Sequence, residues 1–255
     1  MNALIRGLIL IGFFAVSNVL YAEEAVQPAA DAAQSPEHAI SGKFEVGGFK
    51  TTGNTEVETI EGLAEVKYNY GVWGAELGFE GSQTSDGGVV TSDNYEASLK
   101  GIYDILNHAY GFIQLGYKQD YFSGIYSENS RIVGFGYRFF TDEPVYDLDV
   151  ELGYGLRETK KLINGVVRPR IDFDPGTHVA VFSKYHFTEK DYAEIKIQIE
   201  AGNDDDFIKK EFAWVHTLFE NLSVKFGYVI KTNTQPEVGT VDTDDKLSVN
   251  LGYEF

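Results

Sequence analysis

The fold is recognised from the carboxyl-terminal segment Asp245-Lys-Leu-Ser-Val-Asn-Leu-Gly-Tyr-Glu-Phe255. Successive side chains of a β-strand point to opposite faces, so this segment has one apolar and one polar face. The apolar face carries Leu247, Val249, Leu251, Tyr253 and Phe255. A strand of a soluble sandwich can alternate in this way, but it rarely stops on an aromatic residue at the carboxyl terminus.

The ending resembles the last strand of bacterial outer-membrane β-barrels, whose terminal Phe and alternating apolar residues are read by the barrel assembly machinery. The resemblance implies that Tyr253 and Phe255 form an assembly signal. It also implies that this machinery and the outer-membrane lipid are partners of the chain.

The amino terminus has the features of an export signal. Arg6 supplies a positive charge, residues 8–16 are apolar, and Leu20-Tyr-Ala22 suits signal peptidase. The apolar run is too short to span a bilayer as a helix, which disfavours the alternative of a retained anchor. We therefore expect a signal peptide over residues 1–22, a disordered periplasmic linker over 23–41, and one domain over 42–255. The chain has no cysteine, which fits export because barrel closure makes disulfides unnecessary.

Alternating segments of about ten residues, separated by turn signals, fill the rest of the chain. They predict an all-β fold: a closed antiparallel transmembrane β-barrel of about 12 strands. The polar faces carry many charges, and facing them into a wet lumen avoids burying unpaired charge in lipid. The predicted strands are residues 42–51, 56–70, 73–83, 93–103, 109–119, 131–140, 146–157, 177–187, 191–202, 208–219, 222–232 and 244–255.

The connections alternate between short and long. Short periplasmic turns and longer outer loops are typical of such barrels, so both termini are expected on the periplasmic side. An aromatic girdle beside the short turns favours the same orientation. The expected outer loops are residues 84–92, 120–130, 158–176, 203–207 and 233–243, while 52–55 is short and breaks the rule.

Four further stretches resemble a known family. They are Lys50-Thr-Thr-Gly-Asn-Thr-Glu56, Tyr117-Lys-Gln-Asp-Tyr-Phe-Ser-Gly124, Gly134-Phe-Gly-Tyr-Arg-Phe139 and Glu151-Leu-Gly-Tyr-Gly-Leu-Arg157. In this order they look like the YdiY-like family of salt-induced outer-membrane proteins, whose function is unknown. The resemblance covers most of residues 42–255 and implies a barrel in the Gram-negative outer membrane. It implies no catalytic residue.

Asp147, Asp149 and Glu151 form an acidic ladder on one strand face, with side chains about 6.6 Å apart along the strand. The ladder could attract cations in a pore. It could instead be half of a lumen ion-pair network with Arg138, Lys184 and Lys196. Both interpretations place these six residues in the lumen, and the second is slightly favoured because acids and bases nearly match on the polar faces.

The outer loops suggest two further contacts. Arg157, Lys160, Lys161, Arg168 and Arg170 gather positive charge near the predicted outer rim, which favours contact with lipopolysaccharide phosphates. Asp204, Asp205 and Asp206 could hold a divalent cation, but they lack the spacing of an EF-hand, so a solvated acidic loop is the better interpretation.

The sequence contains no motif that predicts an enzyme or a cofactor. Nucleic acid is disfavoured because the net charge is −18. Two classes of function remain: a narrow channel for small solutes or ions linked to osmotic or salt response, and a non-conducting barrel that stabilises the envelope or binds lipopolysaccharide or a partner. A lipid-modifying enzyme is a distant third. The sequence favours the channel and leaves the oligomeric state open.

Overall fold

Twelve antiparallel strands close into one barrel in the computed structural model, which describes residues 38–50, 56–140, 145–163, 165–203, 205–235 and 242–255. Each strand pairs with its neighbours in sequence, and β1 pairs with β12 to close the ring. The strands are β1 His38–Lys50, β2 Val57–Tyr70, β3 Trp73–Asp86, β4 Val89–Asp104, β5 Ala109–Asp120, β6 Ile125–Phe139, β7 Tyr146–Ile163, β8 Val166–His186, β9 Asp191–Gly202, β10 Asp206–Phe219, β11 Leu222–Asn233 and β12 Thr243–Glu254.

The predicted fold class is confirmed. β1 begins at His38, so the last four residues of the expected linker belong to a strand. The expected signal peptide and residues 23–37 lie outside the described residues. Among the described residues, no helix is long and apolar enough to cross a membrane.

We call the end of the barrel with His38 and Phe255 the terminal end, and the opposite end the hairpin end. At the hairpin end the predictions of three long loops, 84–92, 120–130 and 158–176, are wrong, because the strands continue to pair through most of these residues. β3 and β4 are joined by Gly87 and Gly88, and β8 begins at Val166. Backbone N–H and C=O groups need hydrogen-bond partners beyond the membrane as well, and continued strand pairing supplies them.

Tight turns make these extensions possible. Gly87 and Gly88 both have positive φ, 55° and 81°, and Gly165 has φ 75°. Two central residues with positive φ suit a two-residue hairpin, which is why Gly-Gly and Asn-Gly are hairpin signals. Gly87-Gly88 and Asn164-Gly165 were therefore readable in the sequence as tight turns.

The outer surface of the barrel is apolar. Large apolar side chains remain exposed around the wall, including Leu77, Ile113, Phe135, Leu152 and Leu247. They alternate along their strands with charged or small residues that face the lumen. Each strand finds its backbone hydrogen-bond partners in the two neighbouring strands. The closed ring therefore leaves no sheet edge, as a hydrocarbon environment requires.

Candidate functional site in the barrel lumen

A cavity of about 990 Å³ occupies the lumen. Its lining runs from Ser41, Glu254 and Phe255 at the terminal end to Lys118 and Phe207 further toward the hairpin end. Thirteen acidic and eight basic side chains line it, an excess of five negative charges. An imbalance of this kind gives the lumen a negative electrostatic potential.

The acidic ladder lies on this cavity, but its three members differ. Asp147 and Asp149 line the cavity, and neither belongs to the ion pairs and hydrogen bonds found among the described residues. Glu151 is 1% exposed, accepts a hydrogen bond from the hydroxyl of Tyr110 at 2.6 Å and forms an ion pair with Lys100. The ladder therefore offers two carboxylates to the cavity and buries the third.

The cations predicted to neutralise the ladder bind elsewhere. Arg138 pairs with Asp104, their closest atoms 2.7 Å apart, and Lys196 pairs with Glu65 at 3.5 Å. The ammonium of Lys184 lies 3.8 Å from the centre of the Tyr192 ring. Alternation places these side chains on the lumen face, but the stagger between strands and the reach of long side chains select the partners. Arg138 lies opposite Asp149 and Lys184 lies opposite Asp147 in strand register, so the predicted residues are neighbours in the lumen, although the closest charged contacts of these cations are with other groups.

Lys100, the partner that sequence reasoning missed, is held in a pocket of aromatic rings. Its ammonium lies 4.7 Å from the centre of the Phe112 ring, 5.6 Å from that of Phe182 and 5.9 Å from that of Tyr110. Such contacts stabilise a cation through the negative ring faces. Inward aromatic residues on neighbouring strands were the available signal, and they fill this side of the lumen.

His178 lies behind this group. It is 2% exposed, its Nε2 atom is 3.8 Å from Oε2 of Glu151, and neither ring nitrogen has a hydrogen-bond partner among the described residues. His216 pairs with Asp191 at 2.8 Å, but the hydroxyl that contacts this pair, Thr188, donates to Asp191, so no nucleophile is bonded to the imidazole.

Ion pairs also cross the lumen. Nζ of Lys209 on β10 lies 3.1 Å from Glu80 on β3 and 3.7 Å from Glu96 on β4. β4 is six strands from β10 in either direction around the ring, so these contacts join opposite walls. Lys196 on β9 reaches Glu65 on β2 in the same way, five strands away.

Arg157 does not lie in an outer loop. It is 8% exposed and faces the lumen on β7, where its guanidinium donates to the carboxylate of Asp174 and to the carbonyl of Asp205, both at 2.8 Å. Glu128 and Glu200 lie 3.9 Å away. Because the strand continues past residue 157, alternation still turns this side chain inward, which removes Arg157 from the predicted lipopolysaccharide contact.

The other four basic residues lie on the extended β7–β8 hairpin. Arg168 and Arg170 are exposed, and Arg170 pairs with Asp172 at 3.2 Å. Lys160 and Lys161 are half-buried. Outward-facing Arg131 pairs with Glu158 at 2.7 Å beside them. The predicted cluster is therefore reduced to four residues on the hairpin, and they do not share one face: Lys160 lies opposite Ile171, whereas Arg168 and Arg170 alternate in step with Asp174.

The acidic run holds loops together. Asp205 accepts hydrogen bonds from the amide of Gln235 at 3.0 Å and the hydroxyl of Thr234 at 3.3 Å, and the amide of Asp206 donates to Thr234 at 2.9 Å. Asp204 lies outside the described residues. No group of metal-binding side chains is present in the described part of the chain.

The carboxyl terminus completes the closure of the barrel between β1 and β12. The amide of Phe255 donates to the carbonyl of Gly42 at 3.0 Å, and the amide of Gly42 donates back at 2.9 Å. The Phe255 ring stacks on Phe44 with centroids 5.6 Å apart. Tyr253 faces outward and is 49% exposed.

Comparison with known proteins agrees with this architecture. The chain is similar to the uncharacterized protein YdiY of Escherichia coli (strain K12), with 23% identity over 252 residues that cover 96% of this chain and 94% of that protein. Among solved structures it is similar to the NanC porin, with a TM-score of 0.50, 10% identity, and coverage of 85% of this chain and 99% of that one. At this identity the likeness is one of fold, that of an outer-membrane barrel. The family model described as "Protein of unknown function, DUF481" matches residues 44–255, and the chain belongs to that family.

Proposed function

We propose that the protein is a narrow, cation-preferring channel for small solutes or ions in the Gram-negative outer membrane. The observation that carries the proposal is the cavity of about 990 Å³ with five excess negative charges. A charged, hydrated lumen lowers the cost of moving a cation across a membrane. Export through residues 1–22 and use under osmotic or salt stress belong to the same proposal.

The carboxylates of Asp147 and Asp149 give the proposed channel its preference for cations. Asp147 and Asp149 stand on the cavity wall without an ion pair among the described residues, whereas most neighbouring charges are matched. Arg138 and Lys184 lie opposite them in strand register but have their closest contacts elsewhere, so a mobile cation can approach the two carboxylates without breaking an ion pair of theirs. Their spacing of about 6.6 Å lets a cation pass from one to the next.

Single-channel recording in a planar bilayer tests the proposal. We expect the refolded full chain to give small, discrete conductance steps, with a reversal potential in a salt gradient that favours cations. A correctly folded barrel without conductance, or one selective for anions, would overturn it. The same recording decides between the channel and a non-conducting structural barrel. The ion pairs across the lumen favour the non-conducting barrel.

A second role, contact with a phosphorylated glycolipid of the outer leaflet, is favoured by basic and apolar side chains of the β7–β8 hairpin. Lys160 and Arg168 have no ion pair among the described residues, and exposed Phe173 and Ile171 lie on the same hairpin. Cations bind phosphate, and exposed apolar side chains suit acyl chains. This role is compatible with either a conducting or a closed barrel. We assign no enzymatic step to the chain.

A further inference from the structure

The lumen is divided along its length by contacts that join opposite walls. We call these contacts the cross-lumen seam: Lys118 with Phe207, Lys209 with Glu80 and Glu96, Lys231 with Glu96, and Lys196 with Glu65. They follow one another along the lumen, because Phe207 and Lys209 are successive inward positions of β10 and Lys196 lies opposite Glu211 in register.

The seam separates two spaces. The large cavity lies on one side, and a smaller pocket of about 50 Å³, lined by Lys225, Lys246 and Ser248, lies on the other. Five residues line both spaces: Leu63, Glu80, Glu194, Lys196 and Glu211. Residues that line two adjacent cavities form the wall between them. Two of these five, Glu80 and Lys196, belong to the seam, and Glu211 contacts Lys209, so the seam contributes to this wall and reduces the open cross-section of the barrel.

Lys209 is the centre of the seam. Its ammonium is surrounded by three carboxylates, with Glu211 at 2.9 Å, Glu80 at 3.1 Å and Glu96 at 3.7 Å, and its side chain is 9% exposed. Lys231 holds the far side of Glu96 at 2.7 Å. Removing one partner from a buried ionic group leaves uncompensated charge. Without Lys209, the carboxylates would repel one another and draw in water.

We propose that Lys209 is the internal gate of the barrel: its ion pairs across the lumen keep the seam closed and set the width of the conducting path. The inference rests on the proposed channel for its physiological meaning. The seam itself is a property of the folded barrel and can be measured without conduction.

Two matched pairs of variants test the gate. Lys209→Met is compared with Lys67→Met, which removes the same charge from the cavity but pairs only with neighbouring Glu76 at 3.3 Å among the described residues. Glu80→Gln is compared with Glu76→Gln, a substitution at another inward position of β3. This second pair of variants keeps the test available if Lys209→Met fails to fold. Lys209→Arg, which retains the charge, should behave as the parent does.

Each variant is made in the parent chain and in Ser248→Cys. The chain has no native cysteine, so Ser248→Cys gives a single reporter in the small pocket. The readouts are single-channel conductance and the rate of reaction with 2-(trimethylammonium)ethyl methanethiosulfonate. We expect Lys209→Met to raise conductance about twofold or more, and to accelerate thiol modification about tenfold, relative to Lys67→Met. Glu80→Gln should exceed Glu76→Gln in the same direction.

The two readouts separate the gate from the channel. Faster thiol modification with no conductance in any variant would support the seam and overturn the channel. Conductance in every variant, with thiol reaction equal in seam and control variants, would overturn the gate and leave the channel. Equal conductance and equal thiol reaction in Lys209→Met and Lys67→Met, with Glu80→Gln matching Glu76→Gln, would also overturn the gate.

Discussion

Tyr110 on β5 and Glu151 on β7 meet inside the barrel wall, where the phenol hydroxyl donates to the carboxylate at 2.6 Å. Both side chains are at least 98% buried, and the ammonium of Lys100 pairs with the same carboxylate. Three groups from three strands thus meet at one carboxylate: its Oε1 atom takes both contacts, while Oε2 has no hydrogen-bond partner among the described residues. The stability of this wall depends on keeping Glu151 neutralised.

Removing that cation should destabilise the barrel. Lys100→Met leaves the Glu151 charge buried without its ammonium, and we expect a loss of about 3–5 kcal/mol in the free energy of unfolding. Urea unfolding of the barrel refolded in lipid vesicles measures this loss. Lys67→Met is the control, because its ion pair is half exposed and is worth about 1 kcal/mol or less. Equal losses in the two variants would contradict the assignment.

Arg157 should matter far more than its neighbour on the hairpin, Arg170. Arg157→Met leaves Asp174 and Asp205 without their guanidinium, and we expect about 3 kcal/mol of destabilisation. The amide of Gln235, which donates to Asp205, should exchange faster with deuterium. Arg170 is exposed, so Arg170→Met should change stability by about 0.5 kcal/mol or less. If the Gln235 amide keeps its protection in Arg157→Met, Arg157 does not hold these loops.

Arg157 also marks the limit of what the sequence could predict. Period-two alternation correctly places Asp147, Asp149 and Glu151 in the lumen, and the fold class follows from that pattern with the terminal aromatic strand. The predicted strand included Arg157 as its last residue, which placed the side chain at an outer rim, whereas β7 continues to Ile163 and alternation turns Arg157 into the lumen. The Asn164-Gly165 signal would have corrected this boundary.

Partners across the lumen are a different matter. Lys209 and Glu80 are 129 residues apart and on opposite walls. Their contact depends on strand tilt, stagger and barrel width, none of which a single strand encodes. The sequence could therefore supply the inward set of charges but not which of them pair, and the seam could not be foreseen.

Neutralising the free carboxylates should weaken cation selectivity. Asp147→Asn combined with Asp149→Asn removes two of the five excess negative charges of the cavity, and we expect the cation-to-anion permeability ratio to fall about two- to fivefold. Reversal potentials in a salt gradient give this ratio. Glu158→Gln with Asp172→Asn removes two charges that do not line the cavity and should leave the ratio near that of the parent. A similar fall in this control would show that net charge, rather than the ladder, sets selectivity.

Charge reversal on the β7–β8 hairpin tests the glycolipid contact. Lys160→Glu, Lys161→Glu and Arg168→Glu together should reduce the lipopolysaccharide that co-purifies with the barrel about tenfold, because cationic contacts to phosphate become repulsive. Bound lipopolysaccharide is quantified per folded barrel after detergent extraction. Three reversals away from the hairpin and the cavity lining, Lys50→Glu, Lys190→Glu and Lys210→Glu, control for net charge. Co-purification that stays at the parent level would remove the hairpin from consideration.

Phe255 can act in assembly, in stability, or in both, and its geometry separates these roles. The Phe255 ring stacks on Phe44, and a Cβ on Gly42 would lie 2.6 Å from the Phe255 ring. The ring therefore fills the space where β1 and β12 close the barrel. If Phe255 is read by the assembly machinery, Phe255→Ala should lower the amount of folded barrel in cells about tenfold, while folding into pure lipid vesicles slows much less. Heat-modifiable migration on gels measures both. Phe173→Ala, an exposed aromatic substitution on β8, is the control in cells. Equal defects in cells and in vesicles would assign Phe255 to barrel closure alone, because the stacking on Phe44 and the bonds to Gly42 are needed wherever the barrel folds.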